Sequence, residues 1–96
     1  MEKRRRLSDQ ELGAALGSLK GWQIVNGKLH REFKFNDFVQ AFGFMSSVAL
    51  IAERMNHHPD WSNVYNRVII DLVTHDLGAI GSFDIEFAEA VNRLVP

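Results

Sequence analysis

The class of fold is decided by residues 22–35, which read WQIVNGKLHREFKF. Asn26-Gly27 is the strongest short signal for a β-hairpin, because its type I′ turn needs a positive φ at both central residues. A two-residue turn pairs Ile24 with Leu29 and predicts strands over residues 22–25 and 28–35. One face of this hairpin is apolar except for Arg31, and we expect it to meet the core: Trp22, Ile24, Leu29, Phe33 and Phe35.

Three helices are predicted around the strands. Ser8 to Glu11 form a capping box that starts the first helix, and Gly21 is a plausible stop. Asn36 or Asp37 caps a long second helix, and the third runs over about residues 82–94. The second helix has one apolar stripe, Phe38, Phe42, Met45, Ala49 and Ala52, which a second group broadens: Phe44, Val48, Ile51 and Met55.

A second strand pair is predicted over residues 61–65 and 67–74, with Val68, Ile70 and Leu72 pointing inward. The order is therefore α-β-β-α-β-β-α. Strands joined as hairpins indicate an α+β fold, a four-stranded antiparallel sheet with helices packed on one face. The 96 residues are predicted to form a single domain, 1–96.

Composition excludes several classes of function. A net charge of -1 disfavours direct binding to nucleic acid or to a membrane, and we read the basic run at residues 3–6 as a solvated, frayed terminus. Without cysteine there is no thiolate nucleophile and no cysteine zinc site. No secretory signal or membrane span is recognisable, so a cytoplasmic protein is expected.

Three of the four histidines occur in two short segments, Glu53-Arg54-Met55-Asn56-His57-His58-Pro59-Asp60-Trp61 and Thr74-His75. Neighbouring side chains lie about 100° apart on a helix, so both can reach one pocket only where the chain turns. Pro59 predicts that turn, because it disfavours the α region for His58 and ends the preceding helix. His75, at the end of a later strand, can lie beside the same helix terminus. We therefore expect the three imidazoles to converge.

Proton transfer is the chemistry that such a cluster favours. Imidazole has a reference pKa of about 6.5, and Glu53, four residues before His57, shares its helix face and can orient it. Two alternatives stay open: each histidine could cap a helix end, or the three with Glu53, Asp76 or Asp84 could hold zinc. No chelate spacing such as His-Glu-x-x-His is present, so no metal is predicted. Because the histidines lie at element ends, their replacement should leave the fold intact.

At these residues the chain resembles the pterin-4a-carbinolamine dehydratases. The resemblance rests on Glu53-x-x-x-His57-His58-Pro59-x-Trp61-x-x-Val64-Tyr65-x-x-Val68, on Leu72-x-Thr74-His75 and on Asp84, and the element order matches along nearly the whole chain. It implies dehydration of 4a-hydroxytetrahydropterin, the product of pterin-dependent aromatic amino-acid hydroxylases, to quinonoid dihydropterin.

The resemblance also implies which residues form the site. His57, His58 and His75 face the pterin, with Glu53 and Asp84 in support, and neither metal nor redox cofactor is needed. Our hypothesis is that His57 and His75 form the acid–base pair and that His58 orients the substrate. Trp61 either walls the pocket or belongs to the core. Gly81 stands where members commonly have a hydroxyl N-cap, so the third helix could start one residue later and displace Asp84.

A binding module is the alternative function, because some members of this family also act as dimerisation cofactors of transcription factors. Phe44, Val48, Ile51 and Met55 would then be the interaction surface on the long helix, and a charge at Phe44 or Val48 should weaken assembly. The family resemblance also implies a homodimer or homotetramer. An aromatic amino-acid hydroxylase or a transcription factor are the other partners it suggests.

Overall fold

The computed structural model describes residues 5–95. It contains three helices and four strands, with a 3-10 turn His75–Leu77 before the last helix. The elements in chain order are α1 Asp9–Ser18, β1 Gln23–Val25, β2 Lys28–Lys34, α2 Phe38–Met55, β3 Asp60–Val64, β4 Arg67–Leu72 and α3 Ser82–Asn92. The strands form one antiparallel sheet in the order β1-β2-β4-β3. The predicted α+β class and element order are confirmed.

The first hairpin has the predicted turn and register. Asn26 and Gly27 have φ of 53° and 77°, and Ile24 pairs with Leu29. Leu29 and Phe33 are buried, but Ile24 is 43% exposed, so its assignment to the core was wrong. The reason is that β1 is a short edge strand, with a neighbouring strand on one side only.

Arg31 lies on the core face of β2, where hydrogen bonds satisfy its guanidinium. Its guanidinium donates to the Asn92 side-chain oxygen (2.6 Å) and to the Lys20 carbonyl oxygen (3.1 Å), and it lies 4.4 Å from the centre of the Phe33 ring. Partial burial lowers the pKa of Arg31. Asn92 also accepts a hydrogen bond from the Trp22 indole at 2.7 Å. This network connects the end of α3 to the sheet.

The two apolar stripes of α2 differ in burial. Phe44, Val48 and Ile51 are buried against the sheet and α3. In the other stripe Phe38 and Phe42 are 49% and 56% exposed, whereas Met45 packs against the core and Ala52 is buried. The surface proposed from sequence for partner binding is therefore core, and the exposed apolar face of α2 consists of Phe38, Val39, Phe42 and Leu50.

The start of α3 does not shift at Gly81, although the sequence left that possibility open. Gly81 is the N-cap and Ser82 is the first helical residue. A Cβ at Gly81 would lie 3.0 Å from the Arg5 carbonyl oxygen and 3.1 Å from Thr74 Oγ1, so close packing explains the glycine. Arg5 and Arg6 pack here: the Arg5 carbonyl accepts from the Ser82 N–H at 2.7 Å, and Arg6 forms a bridge with Gly81. The prediction of a frayed end is thus wrong for these two residues, while residues 3 and 4 lie outside the described part.

The buried side chains form one hydrophobic cluster between the sheet and the helices. Val68, Ile70 and Leu72 of β4 are fully buried in it, as their alternation predicted. Within residues 5–95, no helix has both the length and the hydrophobicity required to cross a membrane.

Candidate active site

The segment between α2 and β3 places the first two histidines. The helix ends at Met55, because Asn56 adopts a left-handed conformation (φ 49°) and donates its N–H to the Ala52 and Glu53 carbonyls. The N–H of His57 also bonds to Ala52, at 3.1 Å. The helix therefore ends four residues before Pro59, at a left-handed cap that was not predicted from the sequence. Pro59 follows in the connection to β3.

His57 is buried and tied to a carboxylate on α3. Its side chain is 6% exposed, and its Nε2 lies 2.5 Å from Oδ1 of the fully buried Asp84. Phe83 and Phe87 contact the imidazole edge-on. A neutral imidazole that donates Nε2–H to this carboxylate has an unprotonated Nδ1. Only Nδ1 can then exchange a proton with a bound molecule.

Asp84 is held by two further hydrogen bonds, both to Oδ2. Thr74 Oγ1 and the backbone N–H of Gly81 donate to this oxygen, each at 2.8 Å. A buried carboxylate needs hydrogen-bond donors in place of the water that it loses, and here three donors surround it. Because Gly81 remains the N-cap, Asp84 is the third residue of α3 and lies beside His57.

His58 pairs with a different carboxylate. Its Nε2 lies 2.9 Å from Glu53 Oε1, and the two side chains are 58% and 78% exposed. Glu53 was expected to orient His57, four residues later on the same helix face. Instead the helix ends between them and the carboxylate pairs with His58, so that assignment was wrong.

His75 begins the 3-10 turn that follows β4 and is the most exposed of the three histidines, at 72%. Its Nε2 is 3.9 Å from Asp60 Oδ1, which is the separation of an ion pair and too long for a hydrogen bond. Asp60 in turn lies 3.2 Å from Lys28 Nζ.

The three histidines line one open cleft with a volume of about 380 Å³. The cleft lies where the α2–β3 connection meets the end of β4, and its walls are Asn56, His57, His58, Pro59, Asp60, Val73, Thr74, His75 and Asp76. The predicted convergence is therefore present in the structure. Glu53 and Asp84 lie outside the wall, each in contact with a histidine that lines it.

Trp61 does not line the cleft. Its side chain packs against the hydrophobic core, opposite Ile70 in the sheet register. Strand alternation gives the reason, because Asp60 faces the cleft and the next residue must point to the other side of the sheet. The core interpretation of Trp61 is the one the structure supports.

Two residues of the site were missed from sequence. Asp60 lines the cleft beside His75, and Thr74 supports Asp84. Both belong to segments singled out for their histidines. The period of two could have placed Asp60 on the cleft side once Trp61 was assigned to the core.

The described residues contain no group of three or more His, Asp or Glu side chains that could hold a metal ion. Each histidine instead has its own carboxylate. An imidazole backed by a carboxylate is suited to accept or donate a proton, and a cleft with several of them can do both in one reaction.

Known proteins similar to this chain carry the name of one enzyme family. The family model described as pterin 4 alpha carbinolamine dehydratase matches residues 5–94. A Solibacter usitatus protein provisionally named pterin-4-alpha-carbinolamine dehydratase is 55% identical over 89 residues, 93% of this chain and 94% of the relative. A Prochlorococcus marinus protein with the same provisional name is 48% identical over 92% of each chain.

Two solved structures share the fold. A transcriptional coactivator/pterin dehydratase from Brucella melitensis superimposes with a TM-score of 0.91 at 45% identity, over 96% of this chain and 100% of the other. A pterin dehydratase-like protein described as a RuBisCO assembly factor of the alpha-carboxysome has a TM-score of 0.62 at 26% identity, over 76% and 84% of the two chains.

Proposed function

The chain belongs to the pterin 4 alpha carbinolamine dehydratase family, and we propose that it removes water from a 4a-hydroxytetrahydropterin to give a quinonoid dihydropterin. The observation that carries this proposal is the cleft in which His57, His58 and His75 face one space, each beside its own carboxylate. A pterin-dependent hydroxylase would supply the carbinolamine, so the protein would serve in pterin recycling.

The reaction requires two proton movements. The proton on N5 leaves and its bonding electrons form the N5=C4a double bond, while the C4a–O bond breaks and the departing hydroxyl takes up a proton to become water. No electrons are gained or lost overall, so acid–base groups suffice.

We assign the base to His57. Asp84 fixes the Nε2–H tautomer, which leaves Nδ1 free to accept the N5 proton, and the same carboxylate stabilises the imidazolium that results. Burial of both groups strengthens this interaction, because little water screens it.

His75 is then the acid that protonates the hydroxyl, and His58 binds and orients the pterin. The exposure of both side chains suits groups that meet a substrate entering from solvent. The hydrogen bond between His58 and Glu53 limits the rotation of the imidazole, which supports an orienting role.

Purified protein tests the proposal directly. We expect it to accelerate dehydration of chemically generated 4a-hydroxytetrahydropterin, equally with and without a chelator. Elemental analysis should find no stoichiometric metal. Activity that is lost on chelation and restored by zinc would contradict a metal-free mechanism, and an uncatalysed rate would contradict the function itself.

A second candidate function is protein binding through α2. Phe38, Val39, Phe42 and Leu50 expose apolar side chains on this helix, with Leu50 73% and Val39 78% accessible. Monomeric proteins rarely leave such a face uncovered, and the Brucella relative is described as a coactivator as well as a dehydratase. We propose that this face serves self-association into a dimer or tetramer, with a transcription factor as the alternative partner.

A further inference from the structure

Each histidine of the cleft faces one carboxylate, but the three separations differ. His57 and His58 lie within hydrogen-bond distance of Asp84 and Glu53, at 2.5 and 2.9 Å. His75 lies 3.9 Å from Asp60, in the range of an ion pair only. Hydrogen bonds used in catalysis are often long in a free enzyme and shorten when substrate binds.

Asp60 forms an ion pair with Lys28 through the carboxylate oxygen that does not face His75. Its Oδ2 lies 3.2 Å from Lys28 Nζ, so Oδ1 is the oxygen that faces His75. Lys28 stands at the start of β2, next to the tight turn of the first hairpin. The position of the carboxylate therefore does not depend on His75.

The position of Asp60 in the sheet is unfavourable for a purely structural residue. It stands directly opposite Asp71 in the β3–β4 register, and like charges in such a pair destabilise a sheet. Asp71 has its own partner, His30, at 2.7 Å. A neutral side chain at position 60 would avoid the repulsion, so the carboxylate is better explained by the cleft that it lines.

We propose that Asp60 is a positioning residue for His75. When substrate fills the cleft, Asp60 accepts the Nε2–H of His75, and Nδ1–H is left to protonate the departing 4a-hydroxyl. The neutral Nε2–H tautomer remains after the transfer. This role rests on the proposed dehydratase function, in which His75 is the acid.

Kinetics of Asp60 variants test the role. Asp60→Asn should lower kcat roughly 10-fold by misplacing the imidazole, with little change in KM. Asp60→Glu keeps a carboxylate and should recover part of the lost rate. In a His75→Ala background, Asp60→Asn should cause no further loss, because the two residues act as a unit.

Asp71→Asn is the matched control, since it removes the same cross-strand repulsion without altering the cleft, and it should keep the wild-type kcat. Ring ¹⁵N shifts of neutral His75 give a readout that needs no turnover, in the free protein and with a dihydropterin bound. With the dihydropterin bound, the wild type should show the Nε2–H tautomer, and Asp60→Asn should show a larger share of the Nδ1–H form than the wild type.

Wild-type kcat and unchanged ring shifts in Asp60→Asn would overturn the proposal, as would an equal loss of rate in Asp71→Asn. If the wild-type protein fails to dehydrate the pterin, the proposed function fails. The ring shifts with the dihydropterin bound then decide the Asp60–His75 contact separately.

Discussion

The two sides of the cleft differ most in their access to water. On one side, His57 and Asp84 are 6% and 0% exposed and are joined by a hydrogen bond. On the other, His75 and Asp60 are 72% and 46% exposed and lie 3.9 Å apart. Solvent screens the second pair and leaves the first almost unscreened. The same two residue types therefore form a rigid, prearranged pair on one side and an adjustable pair on the other.

Stability should show the largest difference between the two sides. His57→Ala leaves a buried carboxylate without its main partner, and we expect the free energy of unfolding to fall by about 3 kcal/mol. His75→Ala removes an exposed side chain and should change it by less than about 0.5 kcal/mol. Urea unfolding followed by circular dichroism measures both.

Equal stability of the two variants would contradict the assigned burial. The sequence alone predicted that the fold would tolerate replacement of any of the three histidines. Because His57 is in contact with the buried Asp84, we now expect that tolerance only at His58 and His75.

Asp84→Asn should separate the electrostatic role of this carboxylate from its packing. The amide fills the same space but cannot stabilise an imidazolium, and it permits the wrong tautomer of His57. We expect kcat to fall by roughly two orders of magnitude, while Thr74 and Gly81 still bond to the side-chain oxygen. Thr74→Val is the comparison, since it removes one donor to Asp84 and leaves the imidazole contact, and it should cost less activity.

The exposed pair of His58 and Glu53 should give a different kinetic pattern. If His58 mainly binds the pterin, His58→Ala should raise KM with a smaller change in kcat, as loss of uniform binding does. Glu53→Gln should have a weaker effect in the same direction, because the pair is exposed. A fall in kcat of His58→Ala as large as that of His57 variants would show that the exposed side also transfers protons through His58.

Assembly should depend on the exposed face of α2 and leave the cleft unchanged. Leu50→Lys should shift a dimer or tetramer toward monomer in sedimentation velocity at micromolar concentration, with the dehydration rate per subunit retained. Gln10→Lys adds the same charge on exposed α1 and should not alter assembly. A wild-type protein that sediments only as monomer would contradict self-association.

The sequence predicted those features that depend on neighbouring residues. Asn26-Gly27 determines the hairpin and its register, and the alternation of β4 determines its buried residues. The faces of α2 could not be assigned in this way, because Phe38 and Phe42 are as apolar as Phe44 and Val48. Only the packing of the sheet and α3 decides which stripe is buried.

The residues of the site also divide into those that a sequence pattern identifies and those whose contacts depend on tertiary packing. The resemblance to a family identified Asp84, yet its contact with His57 spans 27 positions and depends on how α3 docks. Gly81 looked like the loss of a cap, whereas the close approach of Arg5 and Thr74 explains it. That approach is a tertiary contact, which no local pattern in the sequence reveals.

Dehydration kinetics of a double-mutant cycle test the central claim most directly. His57→Asn, His75→Ala and the pair would be measured on samples shown to be folded by circular dichroism. We expect each single change to lower kcat by roughly two to four orders of magnitude, and the pair to lose little more than the worse single variant. A folded His57→Asn protein that dehydrates 4a-hydroxytetrahydropterin at nearly the wild-type rate would contradict the account.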